Sequence, residues 1–350
     1  MTKIAINGFF LTNRITGMER FAHEILKELD KTNPDKYEIV IPAYTKIVPP
    51  TKNIHVIYYG HIHGKLWVQT SFLWYIKKNK RIPLTFDSIA PLLRPGVVCI
   101  HDITFKVNKN YFGYNLRSKL SLVWRNLQYL VCIRYSPMII TVSEFSKREI
   151  LNNYKCDKDK IIVIGNGWDH FASVGMNNEI KTNHPDYFTK PYFFSLSSLG
   201  ENKNLSWIIE TAKKHPQYNF LIGGGAINGY GNRIKKKLSS NVYFLGYISD
   251  ETIKYLMKNC KAFLFPSFYE GFGIPPLEAL SIGAQIIISN SSCLPEIYGT
   301  SAHYIDPHCP SDNLERVLNE KIDSPESVLE KYRWCNITKI LDANLSKEFS

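Results

Sequence analysis

Three hundred and fifty residues exceed what one hydrophobic core usually serves and suggest two domains of ordinary size. With 44% hydrophobic and 21% charged residues, the composition is that of a globular chain, and no apolar run approaches the length of a membrane-spanning helix. The formal net charge of +12 is lopsided: Lys and Arg outnumber Asp and Glu 25 to 13 over residues 1–169, and balance at 18 each over 170–350.

Met1-Thr2-Lys3 runs directly into a short strand, Lys3–Asn7, with no signal peptide visible, so a cytoplasmic location is the expectation. A loop with Gly8, Asn13, Thr16 and Gly17 follows. The helix Met18–Leu29 then carries Phe21, Ala22, Ile25, Leu26 and Leu29 on one face. Further strands are predicted at Glu38–Pro42, Ile54–Tyr58, Thr85–Phe86, Gly96–Ile100, Met138–Val142 and Lys160–Ile164, with helices at Lys65–Ile76 and Leu116–Ile133. This alternation predicts a parallel sheet with helices on both faces. His101 and Asp102 fall at the carboxyl end of a strand, where ligands collect in open α/β sheets. Ser143 and Ser146 are candidate caps for the next helix. No acidic residue lies between Asp102 and Glu144, whereas Lys106, Lys109, Arg117, Lys119, Arg125 and Arg134 all do.

From Asp169 to Lys190 the sequence turns polar, and 171–190 is expected to be a linker between a first domain, 1–170, and a second, 191–333. The second domain begins with the strand Tyr192–Leu196, the turn 199–205 containing Asn202 and Lys203, and a helix over Trp207–Lys214. Phe220-Leu221-Ile222 ends in Gly223-Gly224-Gly225, where a ligand can approach backbone closely. The strand Asn241–Leu245 leads through Gly246-Tyr247-Ile248 into a helix ending near Asn259, and Gln285–Ser289 is a later strand.

Seven scattered cysteines without paired spacing are expected to be reduced thiols. His61-Ile62-His63 has no companion ligands, and Asp157-Lys158-Asp159 precedes a strand rather than following one, so each reads as ordinary surface. No metal is expected.

The most informative stretch is Phe265–Leu280, FPSFYEGFGIPPLEAL. A buried strand ends at Phe265, a glycine loop follows, and Pro275 and Pro276 suit the first turn of a helix over Pro276–Ile282. Strand, loop and helix start favour an anion such as a diphosphate. Carboxylates there would repel phosphate, so Glu270 and Glu278 suit the hydroxyls of a nucleotide sugar instead.

The pattern Glu270-Gly-Phe-Gly-hydrophobic-Pro-x-x-Glu278 resembles the signature of the retaining GT-B glycosyltransferases of family 4. The resemblance implies an α/β fold of two Rossmann-like doubly wound domains facing each other across a cleft, with residues 334–350 packing back on the first domain. It puts Glu270, Phe272, Gly273 and Ile274 at the donor sugar and diphosphate, Glu278 at the ribose, and Lys203 at the leaving group. It also puts Gly17, Asn202, Gly223 and Gly224 around the donor, Tyr247 and Ile248 near the base, and His101 near the donor sugar as a catalytic group. Asp102 and Arg14 fall on the acceptor side. Asn202 stands where the family commonly has an arginine, so charge stabilisation would rest on Lys203, a point charge without a guanidinium's bidentate fork.

The same resemblance implies a hexosyl- or deoxyhexosyltransferase using a UDP-, GDP- or dTDP-sugar, with no cofactor and a retaining front-face route. A covalent route through Glu270 is the alternative. A lipid-linked glycan acceptor in O-antigen, capsule or exopolysaccharide assembly is implied with it. The basic, aromatic mixture Tyr111, Phe112, Tyr114, Arg117, Trp124 and Arg125 fits peripheral contact with an anionic membrane on its cytoplasmic face. Two other classes fit single features. A non-catalytic sugar-nucleotide or glycan-binding protein fits the missing arginine, and a nucleic-acid-directed protein fits the charge, although no nucleic-acid reading motif is present and none is expected as partner.

Overall fold

The computed structural model describes residues 3–87, 89–112, 116–197, 200–225, 238–311 and 313–349. They form two compact units: Met1–Gly167 together with Arg333–Ser350, and Trp168–Tyr332.

The first unit is built on a seven-stranded sheet. Its strands are β1 (Ile4–Asn7), β2 (Tyr37–Ile41), β3 (His55–Tyr58), β4 (Ile82–Thr85), β5 (Val97–Cys99), β6 (Ile139–Thr141) and β7 (Ile161–Val163). They run in the order β3-β2-β1-β4-β5-β6-β7, and every pair is parallel. Sequence-consecutive parallel strands need crossovers; the helices Gly17–Thr32, Leu73–Lys78, Leu116–Tyr135 and Glu144–Asn153 lie in four of them, and loops make the β2–β3 and β4–β5 connections. The helix Gly17–Thr32 buries Phe21, Ala22, Ile25, Leu26 and Leu29, the face its spacing predicts. The helix expected over Lys65–Ile76 is present as a continuous helical stretch to Lys78, with a π-helical turn, Val68–Phe72, ahead of Leu73–Lys78. The extra residue per turn lets Trp67, Val68 and Phe72 share one buried cluster with Ala5 and Val40.

The last helix, Trp334–Phe349, packs on Gly17–Thr32. Trp334 is 2% exposed and meets Phe21 edge-on at 6.1 Å. Gly167 lies flat on the same indole; a Cβ there would come within 2.5 Å of it. Asp342 fastens the helix further, accepting from Lys36 Nζ at 2.8 Å and from the Tyr37 hydroxyl. Burial alone would raise the Asp342 pKa, but these bonds outweigh it and hold the carboxyl below its usual range.

The second unit carries six parallel strands, β8 (Tyr192–Leu196), β9 (Asn219–Gly223), β10 (Val242–Gly246), β11 (Phe263–Phe265), β12 (Ile286–Ser289) and β13 (His303–Ile305), in the order β10-β9-β8-β11-β12-β13. Strand β13 is short and polar at His303, without the apolar run that marks the others. The core of this unit joins Phe193, Trp207, Ile208, Phe220, Leu264 and Ile287.

Segment 171–190, expected as a linker, belongs to the second unit. It folds into helical turns at Asp169–Ser173, Glu179–Asn183 and Pro185–Phe188. Backbone polar groups explain the attachment: Lys254 Nζ donates to the carbonyls of Phe171, Ala172 and Val174 at 3.1, 3.0 and 2.5 Å. Asn219 Nδ2 donates to Tyr187 O at 3.0 Å. Polar composition marked a surface segment, not a free one.

Candidate active site

In the second unit, the candidate residues fall at the carboxyl ends of four neighbouring strands, β10, β9, β8 and β11, the edge where ligands bind in open α/β sheets. The helix after β11 spans Ile274–Ser281, with Gly273 as its N-cap at φ 86°. Only glycine takes that φ without strain, and a Cβ would stand 2.8 Å from Leu294 Cδ2. Both prolines lie inside the first turn, as expected, and the helix begins two residues earlier than expected. They remove two of its N–H groups, leaving Ile274 and the loop before it as the backbone donors at this helix start.

That loop is stitched at nearly every residue. Phe268 N donates to Asn202 O at 2.8 Å, and Asn202 Nδ2 to Tyr269 O at 3.4 Å. Ser291 Oγ donates to Phe268 O at 2.8 Å, and Glu270 N to Ser292 Oγ at 3.1 Å. The Tyr298 hydroxyl donates to Gly273 O. Asn204, in the left-handed region at φ 53°, donates to the carbonyls of Pro266 and Pro307 at 3.0 and 2.7 Å. Asn202 is thus a clip between the β8 and β11 loops, and supplies none of the charge an arginine there would carry.

Lys203 and Glu270 meet directly: Nζ lies 2.6 Å from Oε1, the side chains 20% and 12% exposed. Lys203 Nζ also sits 5.5 Å from the centre of the Phe265 ring. Phe272 is 3% exposed and packs edge-on against Tyr332 at 5.1 Å, so its backbone rather than its ring can face a ligand. Glu278 is held by a residue that carries no signal in the sequence: His170 Nε2 stands 2.9 Å from Glu278 Oε1.

Gly223 and Ile248 are brought together, a Cβ on Gly223 falling 2.8 Å from Ile248 Cδ1. Gly224 has φ +112°, and its N–H donates to Gly246 O at 2.7 Å. Tyr247 is 90% exposed. Ile248 also lines a concavity of about 320 Å³ with Glu179, His184, Tyr187 and Thr252.

In the first unit, His101 lies just beyond β5. Its Nε2 is 2.9 Å from Phe86 O, which can only accept, so the proton sits on Nε2 and Nδ1 is the acceptor nitrogen. Burial lowers its pKa, so the ring is neutral at neutral pH. Ser146 Oγ bonds His101 O at 3.0 Å, while Ser143 caps the helix Glu144–Asn153; the two serines divide the roles expected of either. Asp102 Oδ1 accepts from Thr104 N at 2.9 Å, a local turn. Gly17 opens its helix with empty space where a Cβ would be. Before it, Glu19 accepts from Asn13 Nδ2 and Thr16 N, each at 3.2 Å. Arg14 is exposed.

Asp87, two residues past β4, is a further group without a sequence signal beyond its strand-end position. Burial pushes its carboxyl up to about 6, with the nearby Glu19 charge adding to the shift. No group of three or more metal-capable side chains occurs among the described residues. Asp157 Oδ1 instead accepts from Asp159 N at 3.0 Å, closing a turn. A larger concavity, about 720 Å³, is lined by Leu92, Leu93, Arg94, Val131 and Tyr135 at the opposite, amino edge of the first sheet.

Comparison with known proteins agrees with this layout. The family model described as Glycosyltransferase Family 4 matches residues 15–170, and that described as Glycosyl transferases group 1 matches 176–332. The O-antigen chain mannosyltransferase RfbU of Salmonella typhimurium is 27% identical over 242 residues, 65% of this chain and 62% of that one. The O-antigen chain mannosyltransferase B of Escherichia coli is 27% identical over 186 residues, 49% of this chain and 48% of that one. The matches therefore span about half to three-fifths of these relatives' length. Among solved structures, Anabaena HepE in complex with UDP and glucose superposes with a TM-score of 0.71 at 18% identity, covering 99% of this chain and 100% of that one. With both halves matched in order and two doubly wound domains of GT-B type, the chain belongs to the family 4 glycosyltransferases.

Proposed function

We propose that this protein is a retaining glycosyltransferase that moves a sugar from a nucleotide-diphosphate sugar to a hydroxyl of a lipid-linked glycan during cell-surface polysaccharide assembly. The observation that carries the reading is the placement, on the adjoining β8 and β11 strand ends of one unit and the helix that follows, of a paired cation and carboxylate, a glycine turn and a second carboxylate: Lys203, Glu270, Gly273 and Glu278. In the reaction the bond from the anomeric carbon to the diphosphate breaks, and the acceptor oxygen bonds that carbon on the same face. The acceptor's proton passes to the departing phosphate. Lys203 and the loop amides, fixed before reaction, stabilise the growing negative charge. Glu270 and Glu278 accept from donor hydroxyls, and neutral His101 accepts at Nδ1 from the sugar or acceptor. No metal is assigned a role.

The names of the relatives, both O-antigen mannosyltransferases, support a hexose donor and a glycan acceptor. HepE was solved with UDP, which makes UDP-sugars the first to try beside GDP- and dTDP-sugars. A thermal-shift screen against these donors is the test. A donor at a hundredfold its Kd stabilises by about 2.7 kcal/mol, a shift of several degrees. Transfer to a glycan acceptor should then occur with the same donor; no shift and no transfer with any of them would overturn the reading.

Peripheral attachment to the cytoplasmic membrane face is part of the proposal. Its support is the helix Leu116–Tyr135, whose Leu120, Val123, Trp124, Leu127 and Leu130 are 63, 68, 41, 44 and 46% exposed at helical spacing, beside exposed Lys119, Arg125 and Arg134. Tyr114 and the side chains of Phe112 and Arg117 lie outside the described residues. No described helix is long and apolar enough to cross a membrane. The protein is expected to sediment with vesicles containing anionic lipid and to be released when Leu120 and Trp124 are both changed to serine. Equal recovery with neutral and anionic vesicles would count against it.

A further inference from the structure

We infer that His170 is a positioning residue for the ribose of the donor. The inference rests on the reading that Glu278 accepts from ribose hydroxyls, and assigns to a second side chain the job of aiming that carboxylate. His170 Nε2 lies 2.9 Å from Glu278 Oε1, with the side chains 4% and 12% exposed. A carboxylate on a helix has rotatable bonds that an exposed setting would leave loose, and one fixed donor on Oε1 turns Oε2 in a single direction. Oε2 itself has no bonded partner among the described residues.

What makes His170 suited to this is how its own segment is held. It lies in the short turn Asp169–Ser173, whose carbonyls are gathered by one ammonium, Lys254 Nζ bonding Phe171, Ala172 and Val174. Phe171 is 2% exposed, and Trp168 Nε1 donates to Leu329 O at 2.8 Å. Lys254 stands on the helix Asp250–Asn259, which comes directly after Tyr247 and Ile248. The base-side loop and the ribose carboxylate are therefore tied through one lysine and one imidazole. A histidine with only a structural role would contribute to stability, but not to the choice between a ribose and a sugar lacking its hydroxyls.

The experiment compares binding of UDP and GDP with that of their 2′,3′-dideoxy counterparts by calorimetry, in the wild type, Glu278→Gln, His170→Phe and His170→Gln. The wild type is expected to prefer the ribose form by roughly tenfold or more, the worth of hydrogen bonds to a charged acceptor. Glu278→Gln should bring the ratio close to one. His170→Phe keeps the ring's bulk without its donor, and should cut the ratio at least threefold while leaving dideoxy binding unchanged. His170→Gln, which retains a donor near the same point, should restore it. If Glu278→Gln leaves the ratio intact, the ribose reading of Glu278 fails. If it collapses the ratio but His170→Phe does not, or if His170→Phe weakens both ligands equally, the positioning inference is overturned. Should His170→Phe not fold, Lys254→Met, which unpins the segment with His170 in place, is measured instead with the same expected drop and the same overturning results.

Discussion

Replacing Lys203 by alanine is expected to lower kcat/KM by about 10²- to 10³-fold with the protein still folded, the loss typical when one preorganised charge is removed from a developing anion. The structure makes this the sharpest test of the site. Asn202, beside it, spends its amide on Tyr269 O and brings no charge, and the two prolines thin the donors of the helix start. Without a diphosphate, Lys203 is paired with Glu270 at 2.6 Å. Alanine therefore also strands a partly buried carboxylate, costing about 1–3 kcal/mol of stability. The double variant Lys203→Ala/Glu270→Gln separates the two effects. Stability should return because the carboxylate charge is gone, whereas activity should not, and the couplings should be strongly non-additive. Lys203→Arg should retain part of the rate. Full activity in Lys203→Ala would remove the leaving-group role, and with it the main support for the proposed chemistry.

Gly224→Ala is expected to destabilise the second unit by about 3 kcal/mol, lowering its melting temperature by roughly 10 °C. Two costs add. The backbone at φ +112° lies where side chains are strained, and the new Cβ would fall 2.2 Å from the carbonyl oxygen of Ser197, which cannot swing aside as a side-chain end can. Relief would need β8 and β9 to part at their carboxyl ends. Gly17→Ala provides the contrast, since its Cβ meets nothing within 4 Å and φ there is ordinary. Its stability should change by less than about 0.5 kcal/mol, so any fall in donor affinity would report a ligand rather than the fold. A Gly224→Ala protein that melts with the wild type would show that the strand ends are looser than the geometry requires.

The architecture was legible because every strand but β13 carried an apolar run, and because periodicity placed the buried face of Gly17–Thr32 residue by residue. The strand Thr85–Phe86 was expected too late: Ile82–Pro83 pairs with β1, since proline is tolerated at a strand's start. The motif Glu270–Glu278 carried its own geometry, as a glycine cap and a helix start are local features. His170 was hidden for the opposite reason. It reaches Glu278 across 108 positions through a short turn whose stability comes from Lys254, and neither periodicity nor composition encodes such a contact. Segment 171–190 misled for a related reason, because polar residues that satisfy backbone groups look the same in sequence whether they are bound or solvated.

The last helix of the chain belongs to the first unit, sealing Phe21 beneath Trp334 and tying Lys36 and Tyr37 through Asp342. On the ribosome this imposes a schedule. Residues 168–332 emerge as a continuous block, while the unit begun before them waits, its Gly17–Thr32 flank uncovered, until the helix Trp334–Phe349 is made. The half translated first is thus the half completed last, and that waiting surface is where chaperone engagement or aggregation during synthesis should concentrate.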